Sequence, residues 1–401
     1  MSETIYLDNA ASTQLDPRVL EAMLPFFQDS YAVATSEFAY SMGIEARDAL
    51  ESARAELAGL LAAKPSELIF TSDPTESSNL AILGLVRGAG TSIHPGSRRR
   101  RLVTSRIEDF PVLNTFKYLE KEGYPVTYLN VDSEGFIDLG QLEGCLSEET
   151  LLVSIQHGNQ EIGTLQPLEE MVGMAKRQGA YFHTDATHTF RRVPLDLTAI
   201  PLDLVTLAGH TLHGPRGIAS LFVREGTPLV KILQGGYQER NLRPGTENVP
   251  GAVGFAKAAS LVTPAENEQL RGLRDRLIDG LLSRIPHSVL NGGRQQRVPQ
   301  NANISFRFVE GESITLQLDF RGIAVSTGSA CFSKSLEASH VMLAIGGDHE
   351  RAHGSVRFTL SRFTTDAQID TTIEAVAEVV TNLRRISPLG KEGDSSNVST
   401  V

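Results

Sequence analysis

From about residue 16 to residue 225, short apolar runs alternate along the chain with longer stretches whose apolar residues recur at helical spacing. The apolar runs are rich in β-branched and aliphatic residues and lie at 67–71, 101–105, 151–155 and 203–207. Strands separated by helix-length segments predict a largely parallel sheet that helices cover on both faces. The predicted helices lie at 16–28, 44–63, 77–88, 110–122 and 166–178.

The pattern changes after about residue 258. A charged helix at 264–284 is followed by a strand at 303–307, another helix, and a last strand and helix within 356–386. This order predicts a smaller α+β unit behind a large α/β unit. We therefore predict a large domain at 1–258, whose first ~15 residues are able to pack with the small domain. A small C-terminal domain at 259–388 and a disordered, polar tail at 389–401 complete the prediction.

Composition and charge narrow the class of protein. The 401 residues carry a formal net charge of -11, which argues against a broad nucleic-acid-binding face, and the run at 98–101 is expected to be a solvated loop. The sequence starts without the basic and apolar regions of a secretory signal, and no window approaches the ~20 apolar residues of a membrane helix. We therefore expect a cytoplasmic protein with neither membrane nor nucleic-acid partners. The two cysteines, Cys145 and Cys331, resemble neither a disulfide framework nor a paired metal site.

Short motifs follow one another in a fixed order along residues 4–388. They are YLDNAAST at 6–13, TES at 75–77, NLAI at 79–82, EIGT at 161–164, DAT at 185–187, GH at 209–210, GPRG at 214–217, LRPGTENV at 242–249, STGSAC at 326–331, VRF at 356–358 and RFT at 362–364. In this order and at these separations they resemble the cysteine desulfurases of the class V aminotransferase group. The resemblance implies an α/β fold, the PLP (pyridoxal phosphate) transferase fold type I. Its large domain has a mainly parallel mixed sheet covered by helices, and a smaller α+β domain follows.

The resemblance also implies a chemistry for particular residues. In this family PLP is an electron sink for L-cysteine, whose sulfur passes to an enzyme cysteine as a persulfide while alanine leaves. Cys331 takes that role here, on a loop of the smaller domain. Asp185 lies under the pyridine nitrogen, and Arg357 binds the substrate carboxylate through two parallel hydrogen bonds. Further cofactor contacts are implied for Thr75, His188, His210 and Gln160.

Thr246 corresponds in the family to a residue that reaches the cofactor phosphate of the neighbouring subunit. The resemblance therefore implies a homodimer with shared sites. It also implies a sulfur-acceptor protein or an iron–sulfur scaffold protein as a partner, and L-cysteine as the substrate if the protein is active.

The departures from the family pattern cluster at the cofactor. Thr211 stands where the family holds its Schiff-base lysine, and a hydroxyl cannot form that bond. Asp109 replaces the ring-stacking histidine. In the phosphate-binding turn, Pro74 removes a backbone N–H donor and Asp73 adds a carboxylate. The remaining changes are Gln160 for asparagine, His188 for glutamine and Ala208 for serine.

Three interpretations fit these changes. In the first, PLP is lost, and the fold survives as a persulfide or iron–sulfur scaffold in which Cys331 accepts sulfur or transiently ligates a cluster. In the second, PLP binds without a covalent anchor, and a desulfurase or cysteine β-lyase remains. In the third, His188, His210 and His213 hold a metal ion with nearby carboxylates, which are good zinc and iron ligands. Lys334 is expected to lower the pKa of the Cys331 thiol rather than to replace the missing lysine.

Overall fold

A computed structural model describes residues 4–90, 99–328 and 338–387 of the chain. Its strands are β1 (Ile5–Tyr6), β2 (Leu68–Thr71), β3 (Arg101–Ser105), β4 (Val126–Leu129), β5 (Thr150–Ser154), β6 (Tyr181–Asp185), β7 (Leu204–Ala208), β8 (Ala219–Val223), β9 (Ser288–Leu290), β10 (Asn301–Phe306), β11 (Ile323–Ala324) and β12 (Ser355–Thr359). A seven-stranded sheet has the order β2, β8, β7, β6, β5, β3, β4. β8 runs antiparallel to both of its neighbours, β2 and β7, and the other described pairs of this sheet are parallel. The mainly parallel, mixed sheet is therefore confirmed.

Helices cover this sheet and build the second unit. They are α1 (Pro17–Met23), α2 (Pro25–Gln28), α3 (Ser41–Gly59), α4 (Pro74–Gly90), α5 (Phe110–Lys121), α6 (Leu139–Cys145), α7 (Leu168–Arg177), α8 (Gln238–Asn241), α9 (Val249–Ser260), α10 (Pro264–Arg284), α11 (Gly311–Asp319), α12 (His340–Ala344), α13 (His349–His353) and α14 (Asp366–Ile386). Side-chain caps start several of them. Thr263 accepts the N–H of Glu266 at the start of α10, and Thr365 accepts that of Gln368 at the start of α14. Such caps satisfy backbone donors that a helix leaves free in its first turn.

Most predicted elements are found within a few residues of their expected positions. The helix predicted at 264–284 has those bounds in the structure. The helix predicted at 16–28 is two helices, because Pro25 starts α2 and has no N–H to continue α1. The arginine run is also more ordered than predicted: Arg101 starts β3, and the Arg100 guanidinium lies 4.7 Å from the centre of the Tyr124 ring. Cys331, Lys334, Arg98 and the tail at 389–401 lie outside the described residues.

The hydrophobic core of the smaller unit includes one residue from the start of the chain. β9, β10 and β12 form an antiparallel sheet that packs with α10, α11 and α14 around residues between Leu270 and Val380. Leu7 belongs to the same buried cluster, and β1 pairs with β11 so that Ile5 lies opposite Ile323. The start of the chain thus contributes to this cluster, while the predicted domain limits, including the boundary at 258, remain predictions. Within the described ranges, no helix is long and apolar enough to cross a membrane.

Candidate functional site

The carboxyl ends of the parallel strands define the candidate site, because open α/β sheets bind their ligands at this edge. β6 ends at Asp185 and β7 at Ala208. The segments that follow these two strands carry His188 and His210. His188 lies within electrostatic reach of His210, and also of Arg357 on β12. The structure therefore brings four of the predicted site residues into one region.

Asp185 is buried at the floor of this region. Its side chain is 8% exposed, and its Oδ1 accepts the N–H of Thr187 at 2.8 Å. Burial raises the pKa of Asp185 to about 6, and the nearby carboxylate of Asp109 adds to the rise. A carboxyl group in such surroundings is stabilised as a carboxylate only when a positive charge or a proton donor comes next to it.

A chain of buried hydrogen bonds runs beneath Asp185. The Ser154 hydroxyl lies 2.8 Å from Nδ1 of His183, whose Nε2 lies 3.0 Å from the Thr206 hydroxyl. Thr206 contacts the Ser78 hydroxyl at 3.0 Å, and Ser78 in turn hydrogen-bonds to Asp185. Burial lowers the pKa of His183 to about 3, so the imidazole is neutral and connects two hydroxyl groups. The sequence motifs gave no role to His183.

Thr211 is not free to take part in chemistry at the site. Its hydroxyl donates a 2.7 Å hydrogen bond to the backbone carbonyl of Thr187, and the residue is 8% exposed. The side chain thus joins the loop after β7 to the loop after β6. At the position where the family has its lysine, this chain has a structural hydrogen bond.

The amino end of α4 is already occupied by the chain's own carboxylates. Asp73 Oδ1 accepts the N–H of Glu76 at 2.9 Å, and Glu76 Oε2 accepts the N–H of Ser72 at 2.7 Å. Pro74 stands at the first helical position, where it has no N–H to offer. A helix amino end attracts one anion through its free N–H groups and its dipole. Here Asp73 is that anion.

Asp109 also acts as a helix cap rather than as a ring-stacking group. It precedes α5, and its Oδ1 accepts the N–H of Phe110 at 2.8 Å. Burial raises the pKa of Asp109. A groove of about 710 Å³ begins at Thr75 and Asp109 and continues between α4 and α5 to Arg87 and Tyr118. The mouth of the site therefore has a carboxylate where the family has an imidazole.

Arg357 has an internal carboxylate partner. Its Nη2 donates to Asp8 Oδ1 at 2.9 Å, and its Nη1 donates to the carbonyl of Gln160 at 3.3 Å. The side chain is 11% exposed, so the pair is largely shielded from water. Gln160 keeps its own Oε1 buried without a hydrogen-bond partner among the described residues. The motifs had not pointed to Asp8 as the partner of the arginine.

The three histidines of the metal interpretation do not form a metal site. His213 points its Nδ1 toward the carbonyl of Gln14 at 2.8 Å and packs edge-on against Phe363. Burial lowers the pKa of His188 to about 3 and also lowers that of His210. In the three described ranges, no group of three or more histidine, cysteine, aspartate and glutamate side chains could hold a metal ion. In the described ranges these three histidines therefore do not come together as a ligand group, and the metal interpretation stays a sequence-based hypothesis.

Two buried glutamates near the site had no predicted role. Glu108 accepts the Ser105 hydroxyl at 2.5 Å and the Gln156 N–H at 2.9 Å, and burial raises its pKa to about 8. Glu161 is 3% exposed, and burial raises its pKa to about 7. A glutamate is rarely fully buried. Glu108 lies in the loop after β3 and Glu161 in the loop after β5. Nothing in the sequence around either glutamate indicates that its side chain is buried.

Three predicted site residues remain: Thr246, Cys331 and Thr75. Thr246 is exposed on the loop between α8 and α9. Cys331 lies outside the described residues, although Ser326 is hydrogen-bonded to the backbone of Arg357 at 2.7 Å and thus links its segment to the site. The remaining cofactor position, Thr75, is exposed in the first turn of α4.

Comparison with known proteins agrees with this fold. The family described as aminotransferase class-V matches residues 5–372. The chain therefore belongs to the class V aminotransferase family, whose cofactor is PLP.

Within that family the chain is a homologue of the cysteine desulfurases. It is 43% identical over 395 residues to cysteine desulfurase IscS of Dictyoglomus turgidum, covering 98% of each chain. It is 45% identical over 388 residues to the cysteine desulfurase of Nostoc sp., covering 96% of this chain and 94% of the relative. A solved NifS-like protein superimposes with a TM-score of 0.87 at 34% identity, covering 95% of this chain and 100% of the other.

The residues present fit PLP poorly. Asp185 remains available for a pyridine nitrogen, but Thr211 offers no amine and is bonded to Thr187. At the phosphate end, Asp73 takes the Glu76 N–H that an anion would need. A phosphate and a carboxylate cannot both be held by one helix amino end without strong repulsion. The chain therefore keeps Asp185, the predicted partner of the pyridine ring, but its own Asp73 carboxylate occupies the place of the cofactor phosphate.

Proposed function

We propose that this protein carries sulfur on Cys331 and does so without PLP. The observation that supports this most directly is the Asp73 carboxylate at the amino end of α4, 2.9 Å from the N–H of Glu76. It supplies the negative charge that the cofactor phosphate supplies in an ordinary member of the family. The hydrogen bond from Thr211 to Thr187 supports the same conclusion at the Schiff-base position.

The sulfur reaches Cys331 from a persulfide. The thiolate of Cys331 attacks the terminal sulfur of a donor persulfide, R–S–SH. A new S–S bond forms on Cys331, the S–S bond of the donor breaks, and its electron pair leaves with the donor thiolate. No oxidant or cofactor enters this balance. A protein acceptor with its own thiol takes the terminal sulfur in the same way.

The proposal includes a homodimer and an acceptor protein as partners. The exposed position of Thr246 agrees with a loop that meets a second copy of the chain. The relatives are named cysteine desulfurases, so L-cysteine is the compound to test as an alternative sulfur source. Under this proposal L-cysteine alone gives neither alanine nor a persulfide.

The test combines mass spectrometry with absorbance. Incubation with glutathione persulfide is expected to add one sulfur atom to Cys331, and Cys331→Ala is expected to abolish this addition. Cys145→Ala is the matched control, because it removes the other thiol of the chain and leaves the loading unchanged. Formation of alanine from L-cysteine in the presence of added PLP would show instead that PLP binds without a covalent anchor.

A further inference from the structure

A pocket of about 330 Å³ lies where the loop after β6 meets the amino end of α10. None of the residues that line it belongs to the candidate functional site. Most of its wall is apolar and includes Leu61, Phe190, Val193, Leu195 and Val262. Pockets that bind small molecules have such walls, combined with a few fixed polar groups, and often lie where two units of a protein meet. The polar groups of this pocket therefore decide what it binds.

Arg191 brings a guanidinium group to the pocket wall in a fixed orientation. Its Nε donates to the carbonyl of Ala259 at 3.2 Å, and its Nη2 donates to the carbonyl of Val262 at 3.1 Å. Among the described residues, Nη1 has no hydrogen-bond partner. Two nitrogens thus hold the group in place, and the third is available as a donor to a ligand. Binding through such a pre-ordered side chain loses little conformational freedom.

The backbone of Arg191 is held in an unusual conformation. Its φ angle is 61°, in the left-handed region that is costly for a residue with a Cβ atom. Asn267 on α10 supports this conformation, because its Nδ2 donates to the carbonyl of Arg191 at 2.8 Å. Its Oδ1 accepts Nη1 of Arg192 at 3.2 Å. Strained residues that their surroundings hold in place collect at binding sites, so the conformation of Arg191 agrees with a role in binding.

The charge of Arg191 has no carboxylate partner in the described part of the chain. The other arginines at the pocket each have one. Arg192 pairs with Glu266. Arg271 pairs with Glu268, which is the one acidic residue among the described residues of the pocket wall. The hydrogen bonds of the Arg191 guanidinium go to carbonyl oxygens near the end of α9, which carry only partial charges. A negatively charged ligand therefore meets an excess of positive charge.

We propose that this pocket binds a small amphipathic carboxylate. The carboxylate accepts hydrogen bonds from Arg191 Nη1, and charge makes such bonds roughly twice as strong as neutral ones. The apolar body of the ligand packs against the wall that includes Phe190 and Leu195. The pocket volume is near the lower end of the range of about 300–1,000 Å³ for ligand sites, so a short acyl chain or a single ring fits. This site depends on neither Cys331 nor PLP and goes beyond the proposed function.

A ligand in this pocket contacts two parts of the molecule. One side of the pocket belongs to the loop after β6 of the large sheet, and the other belongs to α10, which packs in the core of the smaller unit. A ligand that binds the folded protein alone stabilises it, and the stabilisation grows as the ligand concentration exceeds the dissociation constant. We therefore expect the ligand to raise the melting temperature.

The experiment uses hexanoate as the probe and measures its binding to the full chain by isothermal titration calorimetry. Hexanamide has the same shape without the charge, and acetate has the charge without the apolar body. We expect hexanoate to bind at least about tenfold more tightly than either, because a charged hydrogen bond and a buried acyl chain each contribute that much. Hexanoate should also raise the melting temperature more than hexanamide does at the same concentration.

Arg191→Gln removes the charge of the proposed anchor and should weaken hexanoate binding by at least about tenfold. Arg224→Gln is the matched control. Arg224 also donates to two backbone carbonyls, those of Leu202 and Leu197, but it does not line the pocket. Its affinity for hexanoate should equal that of the wild type. The melting temperature of each variant without ligand shows whether it is folded.

Leu195→Trp keeps the test available if Arg191→Gln does not fold. The larger side chain narrows the pocket and leaves Arg191 in place, so hexanoate binding should again weaken. Three results would each overturn the inference. They are equal binding of hexanoate and hexanamide, equal losses of affinity in Arg191→Gln and Arg224→Gln, and undiminished binding to Leu195→Trp.

Discussion

At the scale of single residues, the ion pair of Arg54 and Glu239 shows how a strained segment is held. Glu239, Arg240 and Asn241 have φ angles of 46°, 56° and 62°, a left-handed run that is costly for residues other than glycine. Arg54 Nη1 and Nη2 donate to the two oxygens of Glu239 at 2.7 and 2.8 Å. Glu239 also accepts the N–H of Phe70 at 2.8 Å. These contacts hold in place the segment that leads to Thr246.

We expect Glu239→Ala to destabilise the protein by about 3–5 kcal/mol, because it leaves the buried Arg54 guanidinium without its main partner. Both side chains of the pair are 4% exposed. The measurement is the free energy of unfolding in urea. Glu51→Ala is the control, since Glu51 also contacts Arg54 but is 50% exposed, and its removal should cost less than about 1 kcal/mol. Equal losses for the two variants would contradict this account.

The sequence was most informative at this scale where a motif could be compared residue by residue. It identified Thr211, Asp73, Pro74 and Asp109 as departures, and it anticipated that Asp73 brings negative charge to the phosphate turn. It could not show that Thr211 bonds to the Thr187 carbonyl or that Asp73 caps the helix, because these contacts depend on how separate loops pack. For the same reason, the sequence did not predict that Glu161 is buried.

At the scale of elements, most of the helices and strands that periodicity predicted lie within a few residues of their expected positions, although several short strands were not predicted. α10 has the bounds that the sequence predicted, and α14 ends at the predicted residue 386, although its start was not predicted separately from the preceding strand. The split between α1 and α2 depended on one proline within a continuous apolar pattern. The pattern could not show which side chains accept hydrogen bonds from the first N–H groups of a helix. The amino end of α4, where Asp73 accepts the N–H of Glu76, is the case that matters for function.

The filled amino end of α4 leads to a prediction about PLP. Thr211→Lys alone supplies the amine but leaves Asp73 in place, so we expect weak binding of PLP. Adding Asp73→Ala should tighten the binding by up to roughly a thousandfold, the effect of removing a like charge ~4 Å away at an effective dielectric near 20. The measurement is titration with PLP, followed by the absorbance of the lysine-bound cofactor. A second titration measures how strongly inorganic phosphate competes with PLP for the site.

The control for this titration is Thr211→Lys with Asp48→Ala, which removes an exposed aspartate that pairs with Arg47. Loss of the cap in Asp73→Ala should itself cost about 1 kcal/mol of stability. If neither double variant binds PLP, Pro74 and Asp109 close the site independently of the charge on Asp73.

At the scale of the whole molecule, an ionic cluster joins segments that are distant in the sequence. Arg362, after β12, donates to Asp16 at 2.9 Å and lies 3.1 Å from Glu266 on α10. Arg192 pairs with the same Glu266. Asp16 is 1% exposed, and the hydrogen bond from Arg18, with help from Arg362, holds its pKa well below the ordinary range. The cluster connects the amino-terminal segment, the large sheet and the smaller unit.

The direction of this pKa shift predicts an acid-sensitive contribution to stability. A carboxyl group whose folded-state pKa is depressed stabilises the protein fully above its ordinary pKa, and the contribution is lost as the pH falls through that value toward the folded one. We expect Asp16→Asn to be less stable than the wild type at pH 7 and the difference to shrink between pH 5 and pH 2. Urea unfolding at several pH values measures this, with exposed Asp29→Asn as the control. A constant difference at all pH values would exclude Asp16 as the cause.

The pairing of β1 with β11 has a consequence for how the chain is made. Ile5 emerges from the ribosome before its partner Ile323, which follows roughly 300 residues later. At a synthesis rate of ~5–20 residues per second, the first strand waits roughly 15 to 60 s for its neighbour. During that interval its unpaired edge is open to strands of other nascent chains. The order of synthesis therefore delays the pairing of this short strand until most of the chain has been made.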